Sequence, residues 1–494
     1  MKSAHRAGER PRLASLSGLG FGDCGKGLFT DFLCRDWAAG AVVRFNGGAQ
    51  AGHNVVAADG RQHTFSQFCA GMLVPGVLGV LASPVVVHPS ALRVEHEALQ
   101  AIGVDDALAR LRIDARCRIN TPFHQAAGRL RELMRGAAAH GSCGVGVGET
   151  VRDALAAPDG VLRYGDLVHR GPALARAEAI RQRLWSEFAH AQPGPGAGGA
   201  ALAAWRDELR LLGDARIAVR WLDALAGLLH DCPPRSTGEI GRELVGRGRA
   251  VIFEGAQGLL LDEWHGFHPH TTWSSTGPAA ALKVAHELGL CGASGVEREM
   301  RHFGVLRTYL TRHGAGPLPT HDGALDQALA EPHNADDGWQ GSFRRGHPDA
   351  VLLRYAAQAA GRLDGLLLSH LDAVERPHGG LRWCTGYQLA PHERHQAITD
   401  VPDEALCERD AHGALLRLKP GAPGDLRHQE ALGHLLARAR PIYHADTLRS
   451  ADEAVRRIAE AAGCPVLHGS FGPRAADVRD LRTLGEDVSR PAPS

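Results

Sequence analysis

Short runs of consecutive apolar residues recur along the chain, and glycine-rich turns follow several of them. Residues 13–19, 41–45, 85–88, 250–253, 304–311, 366–369 and 465–468 read as buried strands. Residues 28–33, 91–99 and 121–135 carry the apolar spacing of helices, and helical stretches run from about 173 to 231. Alternating strands and helices predict an α/β fold, with a large, mostly parallel central sheet flanked by helices on both faces. Sites in such sheets gather at the carboxyl ends of the strands, where the glycine-rich loops fall.

The pattern predicts a single domain over residues 11–478, with flexible tails at 1–10 and 479–494. Gln192-Pro-Gly-Pro-Gly-Ala-Gly-Gly199 reads as a surface insertion near 192–200, and the polar stretch 321–348 as a mobile loop. Charge is balanced at 55 basic against 55 acidic residues, so no broad attraction to nucleic acid or membrane is implied. No basic stripe with interleaved aromatics appears. The ten cysteines are irregularly spaced without a C-x-x-C, as expected of buried, reduced thiols. The first residues lack the apolar core of a signal peptide, and no apolar run approaches the roughly 20 residues that span a bilayer. A cytoplasmic location is expected.

The first strand runs into Gly20-Phe-Gly-Asp-Cys-Gly-Lys-Gly27, followed by a helix. Gly20, Gly25 and Lys26 have the spacing of a phosphate-binding loop, in which backbone N–H groups and a helix start face an anion. The hydroxyl that usually follows the lysine and holds Mg²⁺ is absent, because Gly27 sits there; Asp23 is the replacement within the loop. A tight strand-to-helix turn is the alternative. The chain has only four lysines and otherwise uses arginine, so Lys26 is retained where a compact ammonium suits a phosphate. A second glycine-rich loop is Gly141-Ser-Cys-Gly-Val-Gly-Val-Gly148.

Several stretches together resemble the adenylosuccinate synthetase family. They are Gly22-Asp-Cys-Gly-Lys-Gly27, Val43-Arg-Phe-Asn-Gly-Gly48, Ala51-Gly-His53, Phe253-Glu-Gly-Ala-Gln-Gly258, Gly314-Ala-Gly-Pro-Leu-Pro-Thr320, Leu371-Asp372 and Ser470-Phe-Gly-Pro473. The resemblance implies a GTP-dependent ligase, a homodimer in the family, in which GTP phosphorylates the 6-oxygen of IMP and the aspartate amine displaces that phosphate. It implies Asp23 as the base for the ring N–H and as an Mg²⁺ ligand with the Gly52 carbonyl. Asp23 as a helix N-cap is the alternative. His53 would donate to the transferring phosphate, Lys26 would neutralise phosphate charge, and Gln257 would bond the acceptor oxygen as it gains charge. Gly22, Gly25, Gly27, Gly52 and His53 would surround the phosphates. Asp372 would read the guanine edge, with Ser470, Gly472 and Pro473 lining the base pocket.

Departures from the family cluster on the acceptor side. Gln50 stands for an Asn and Cys143 for a phosphate-binding Thr; on the guanine side, Ser369-His370 precede Leu371-Asp372 where the family has Thr-Lys. Thr272 keeps its match, and Arg152 is the nearest candidate for an arginine that crosses the family's dimer interface. The amino-acid loop is Trp339-Gln-Gly-Ser-Phe-Arg-Arg345, where Arg344 and Arg345 would clamp a carboxylate or else be a solvated pair. Two alternatives follow: a paralogue acting on another acceptor or amine donor, and a non-catalytic nucleotide-binding regulator.

Overall fold

The structure, a computed structural model, describes residues 11–291, 300–329, 331, 339–376, 380–391 and 400–482. A ten-stranded sheet organises the chain. Its strands, in chain order, are β1 (Leu13–Gly18), β2 (Ala41–Arg44), β3 (Leu78–Leu81), β4 (Leu111–Asp114), β5 (Pro234–Arg235), β6 (Val251–Glu254), β7 (Met300–Arg307), β8 (Gly365–Ser369), β9 (Val466–Ser470) and β10 (Val478–Asp480). Their order across the sheet is β10-β9-β8-β7-β1-β6-β2-β3-β4-β5. Every pairing is parallel except that of the edge strand β10, which runs antiparallel to β9.

Alternation along the strands explains why they read as unbroken apolar runs. Ala14, Leu16, Val42 and Ile252 enter the core on one face, while Leu13, Ala41, Val43, Val251 and Phe253 enter a second core on the other. A strand covered on both faces has no polar side to show. Helix limits follow local chemistry in the same way. The helix Pro122–Arg135 begins where Thr121 accepts from the His124 N–H and proline fills the first turn.

The stretch near 192–200 joins the helices Arg170–Phe188 and Gly199–Gly213, and the Gly194 N–H donates to the Leu133 carbonyl at 2.9 Å. Residues 321–348 contain a helix, Gly323–Ala328, and a strand, Phe343–Gly346, paired with Leu310–His313; residues 330 and 332–338 lie outside the described residues. The chain is tied down beyond residue 478 by β10, and residues 1–10 and 483–494 also lie outside the described ones. A four-stranded antiparallel sheet (Arg382–Leu389, Cys407–Arg409, Leu415–Leu418, Ala439–Thr447) packs apart from the main one and was not evident from the apolar runs. Among the described residues, no helix is long and apolar enough to cross a membrane.

Candidate active site

The carboxyl ends of β1, β2 and β6 open into one cleft of about 840 Å³. Asp23, Lys26, Gln50, Gly52, His53, Cys143, Thr272 and Gln257 all line it. Four distant segments of the sequence thus meet in one place, three of them after strands of the parallel sheet.

The first loop turns from β1 into the helix Lys26–Asp36 through Gly25, which caps the helix in the left-handed region at φ 90° with no side-chain cap. A Cβ at Gly25 would lie 2.9 Å from the Ser369 Cβ, so the close approach of β8 as well as the backbone sign requires glycine. Lys26 is 3% exposed. Its ammonium donates to the Gly22 carbonyl and, at 2.7 Å, to the Gln257 carbonyl. The lysine therefore ties the first loop to the turn after β6. That turn approaches so closely that a Cβ at Gly258 would sit 2.2 Å from the Gly20 carbonyl oxygen. Gln257 itself has φ 63°. Left-handed backbone is uncommon for a residue with a side chain and is held here by the lysine bond to its carbonyl.

His53 stands at the start of a hairpin, His53–Val56 with Gln62–Phe65. Its Nδ1 lies 2.6 Å from Glu254 Oε1 at the end of β6. Glu254 is fully buried; its other oxygen accepts from the Ala70 N–H at 3.1 Å and lies 3.7 Å from the Arg44 guanidinium. Burial, joined by Arg44 and Lys26, pushes the imidazole down to about 4 despite Glu254. Burial also works against the Glu254 charge, but His53 and Arg44 outweigh it and hold the carboxyl below its usual range. A neutral ring bonded through Nδ1–H to a carboxylate leaves its Nε2 lone pair for the cleft.

Asp23 Oδ2 lies 2.8 Å from Arg307 Nη2, and the Asp23 carbonyl accepts from Thr311 at 3.0 Å. Arg307 is the last residue of β7 and is also paired with Glu331 and bonded to the Tyr309 hydroxyl at 3.1 Å.

Asp372 follows β8, Ser470 ends the adjacent β9, and Gly472 and Pro473 follow it, all outside the main cleft. Ser369 at the end of β8 donates to the Cys24 carbonyl at 3.1 Å, and Ser470 to Gly472 at 3.1 Å. Asp372 is paired here with Arg376, one helical turn on. His370 is left-handed at φ 62°, and burial, with Arg307 next, holds its ring well below the usual histidine range.

On the acceptor side, Cys143 lies in the second glycine loop, and burial raises its thiol. Gly144 and Gly148 lie against the indoles of Trp339 and Trp273, both of which line the cleft. Gln50 buries its carbonyl oxygen with no partner. Arg344 and Arg345 do not line the cleft. Arg344 donates to the carbonyls of Gly314 at 2.5 Å and Gly316 at 2.9 Å, and Arg345 is buried with its side chain on the Phe343 carbonyl at 3.1 Å. They are neighbours on a strand and point to opposite sides, so the pair does not form one clamp. Arg312, not singled out in the sequence, does line the cleft; it is 2% exposed, stacked on Phe21 and bonded to the carbonyls of His270, Ala315 and Pro317. Burial, with Arg344 beside it, lowers that guanidinium to about 9. Glu254 and Arg307 were missed as partners of His53 and Asp23. The only signal was their position: Glu254 directly follows the predicted strand 250–253, and Arg307 is the charged residue within the predicted strand 304–311.

The adenylosuccinate synthetase family model matches residues 15–478. The adenylosuccinate synthetase of Methylococcus capsulatus is 32% identical over 463 residues, spanning 93% of this chain and 96% of that protein. That of Neisseria meningitidis is 30% identical over 466 residues, 92% of this chain and 95% of its own. Among solved structures, fully ligated adenylosuccinate synthetase from Plasmodium falciparum shares the fold with a TM-score of 0.70 at 19% identity, over 94% of this chain and 99% of that one. Cyanophage S-2L succinoaminodeoxyadenylate synthetase, bound to dGMP and dATP as an energy donor, matches with a TM-score of 0.56 at 17% identity, over 97% and 98%. With the sheet, the loop and the family match in agreement, this chain belongs to the adenylosuccinate synthetase family of carbon–nitrogen ligases.

Proposed function

We propose that this GTP-dependent ligase phosphorylates the 6-oxygen of a purine nucleotide such as IMP and couples the activated carbon to an amino acid such as L-aspartate. The observation that carries the reading is the convergence of Asp23, Lys26, His53 and Gln257 on one cleft. Family membership favours this over a non-catalytic regulator and over a paralogue with other substrates.

In the first step Asp23 takes the ring N–H proton and the 6-oxygen attacks the γ-phosphorus. The O–P bond forms as the bond to the β-phosphate oxygen breaks and GDP leaves. Gln257 donates to the 6-oxygen as charge gathers on it, and Lys26, with the exposed end of His53, faces the transferring phosphoryl group. In the second step the amine nitrogen attacks C6, the C–O bond breaks, inorganic phosphate departs and the amine loses a proton. Phosphorylation serves to convert a poor leaving group into a good one.

Mg²⁺ prefers a few hard oxygens together with substrate phosphates to an all-protein cage. The Asp23 carboxylate and the Gly52 carbonyl, both on the cleft wall, fit that demand. When bound, the ion supplies neutralisation of phosphate charge. The remaining expectations, a homodimer and a cytoplasmic location, stay part of this proposal.

Purified chain incubated with GTP, Mg²⁺, IMP and aspartate is expected to yield adenylosuccinate, GDP and phosphate in equal amounts. GTP turnover with no nitrogen coupled to IMP would overturn the substrate assignment. No turnover of GTP with any purine acceptor would overturn the reading as a whole.

A further inference from the structure

We infer that Arg307 is a positioning residue for Asp23, and that Glu331 is the reserve counter-ion that lets Asp23 leave it. The inference rests on the reading of Asp23 as the base given above. Arg307 ends β7, and its side chain is 4% exposed. A guanidinium so far out of water is stabilised by carboxylate partners, and removing one from a buried pair is costly. Two are present. Asp23 takes Nη2 at 2.8 Å, and Glu331 takes both terminal nitrogens, Nη2 at 3.2 Å. Tyr309 completes the cluster, with its hydroxyl 3.1 Å from both Arg307 Nη1 and Glu331 Oε1.

One cation between two carboxylates gives the pairing a choice. While Arg307 holds Asp23 through Oδ2, the base is fixed near the first loop. When Asp23 turns to the acceptor, Arg307 keeps Glu331, and no buried charge is stranded. Without Glu331, Asp23 is the sole carboxylate left to Arg307 among the described residues, and its departure becomes expensive. Lining the main cleft is not required of Glu331; Asp23 alone connects the cluster to it.

The test uses the full chain and four variants: Glu331→Gln, Arg307→Met, Arg307→Lys and the double variant Arg307→Met with Glu331→Gln. Initial rates are measured with GTP, IMP and aspartate. Loss of a charged hydrogen-bond partner corresponds to roughly a ten- to hundredfold change. Glu331→Gln is expected to lower kcat by that amount and leave the KM for GTP unchanged. Arg307→Met is expected to lower kcat further, with partial recovery in Arg307→Lys. The double variant is expected to match Arg307→Met, because Glu331 acts only through the arginine. A Glu331→Gln rate equal to the parent, or a double variant whose losses simply multiply, overturns the inference. A drop in unfolding temperature with kcat preserved overturns it as well. If the parent chain itself makes no product, the ligase reading fails instead, so the two failures are told apart.

Discussion

Replacing Glu254 by Gln is the sharpest perturbation of the site, because it removes a charge and almost no volume. The parent carboxylate makes three interactions: His53 Nδ1 at 2.6 Å, the Ala70 N–H at 3.1 Å and Arg44 at 3.7 Å. The amide retains an acceptor for one of the first two but offers no charge to the imidazole. Arg44 keeps its bonds to the Ser66 and Phe68 carbonyls, at 3.2 and 3.4 Å, so the local fold is expected to persist. A charge-assisted hydrogen bond is worth about 1.5–3 kcal/mol, and about 1.4 kcal/mol is a factor of ten in rate. The variant is therefore expected to lose roughly ten- to hundredfold in kcat/KM, by initial-rate assay of phosphate release. A second measurement isolates the cause. In the free enzyme His53 is neutral at pH 7, since burial pushes it down to about 4. A triphosphate beside Nε2 favours the imidazolium, so binding takes up a proton. Calorimetric titration with GTP in two buffers of different ionisation enthalpy counts that uptake. It is expected to be greatest in the parent, smaller in Glu254→Gln and absent in His53→Asn. Equal uptake in the parent and His53→Asn, or unimpaired turnover in Glu254→Gln, would refute the pairing of these residues as the working unit.

Three further outcomes are expected. Gly25→Ala places a Cβ 2.9 Å from Ser369 on left-handed backbone costing about 1–2 kcal/mol; GTP affinity should fall by at least about tenfold in equilibrium titration. Asp372→Asn replaces two acceptor oxygens with one acceptor and one donor, so preference for GTP over ATP should narrow in competition assays. Asp349 is buried, caps the helix Ala350–Ala360 and accepts from Tyr387 at 2.5 Å; burial pushes its carboxyl up to about 6 from 3.8. The folded state thus holds this proton more tightly than the unfolded one, and the stabilisation is full below about 4 and lost as pH rises through about 6. The rise corresponds to about 3 kcal/mol. Asp349→Asn should flatten the decline in urea-unfolding free energy over that window, and an unchanged slope would count against it.

Six strands of the central sheet were legible because strands covered on both faces must be apolar at successive positions, as in Ala41–Arg44 and Gly365–Ser369. Leu78–Leu81, Leu111–Asp114, Pro234–Arg235 and Val478–Asp480 were not, and Val86–Val87, read as a strand, pairs with Arg118–Ile119 in a separate two-stranded sheet. The hairpin His53–Val56 and the strand Ala439–Thr447 were not, because each leaves polar residues in water: Asn54 on the first, and Asp446 with Thr447 on the second. The cleft residues were legible as glycine-flanked polar residues at strand ends. Their partners were not, since His53 and Glu254 are 201 positions apart and only the sheet order makes them neighbours. The Arg344-Arg345 pair misled for a local reason. Composition shows two charges, whereas a strand sends successive side chains to opposite sides.

The two ends of the cleft differ in how their charges are already spent, and this bears on how substrates enter. At the phosphate end, Lys26 bonds the Gly22 and Gln257 carbonyls and the Cys24 sulfur, with no carboxylate among these partners. At the acceptor end, the arginines on the wall carry internal carboxylates: Arg131 with Glu149 at 2.8 Å, and Arg135 with Glu132. Arg312 is enclosed by carbonyls. An anionic acceptor that recruits Arg131 or Arg135 must displace a carboxylate already in contact, and the gain is only the difference between two charged bonds. Triphosphate binding therefore uses charge that is preformed, whereas acceptor binding requires exchange of ion pairs in the wall. Acceptor affinity should accordingly respond to Glu149→Gln, which removes one of the two carboxylates paired with Arg131, the other being Glu187 at 2.8 Å, while GTP affinity should not; a Kd for IMP unchanged by that substitution would show that the Arg131–Glu149 exchange takes no part.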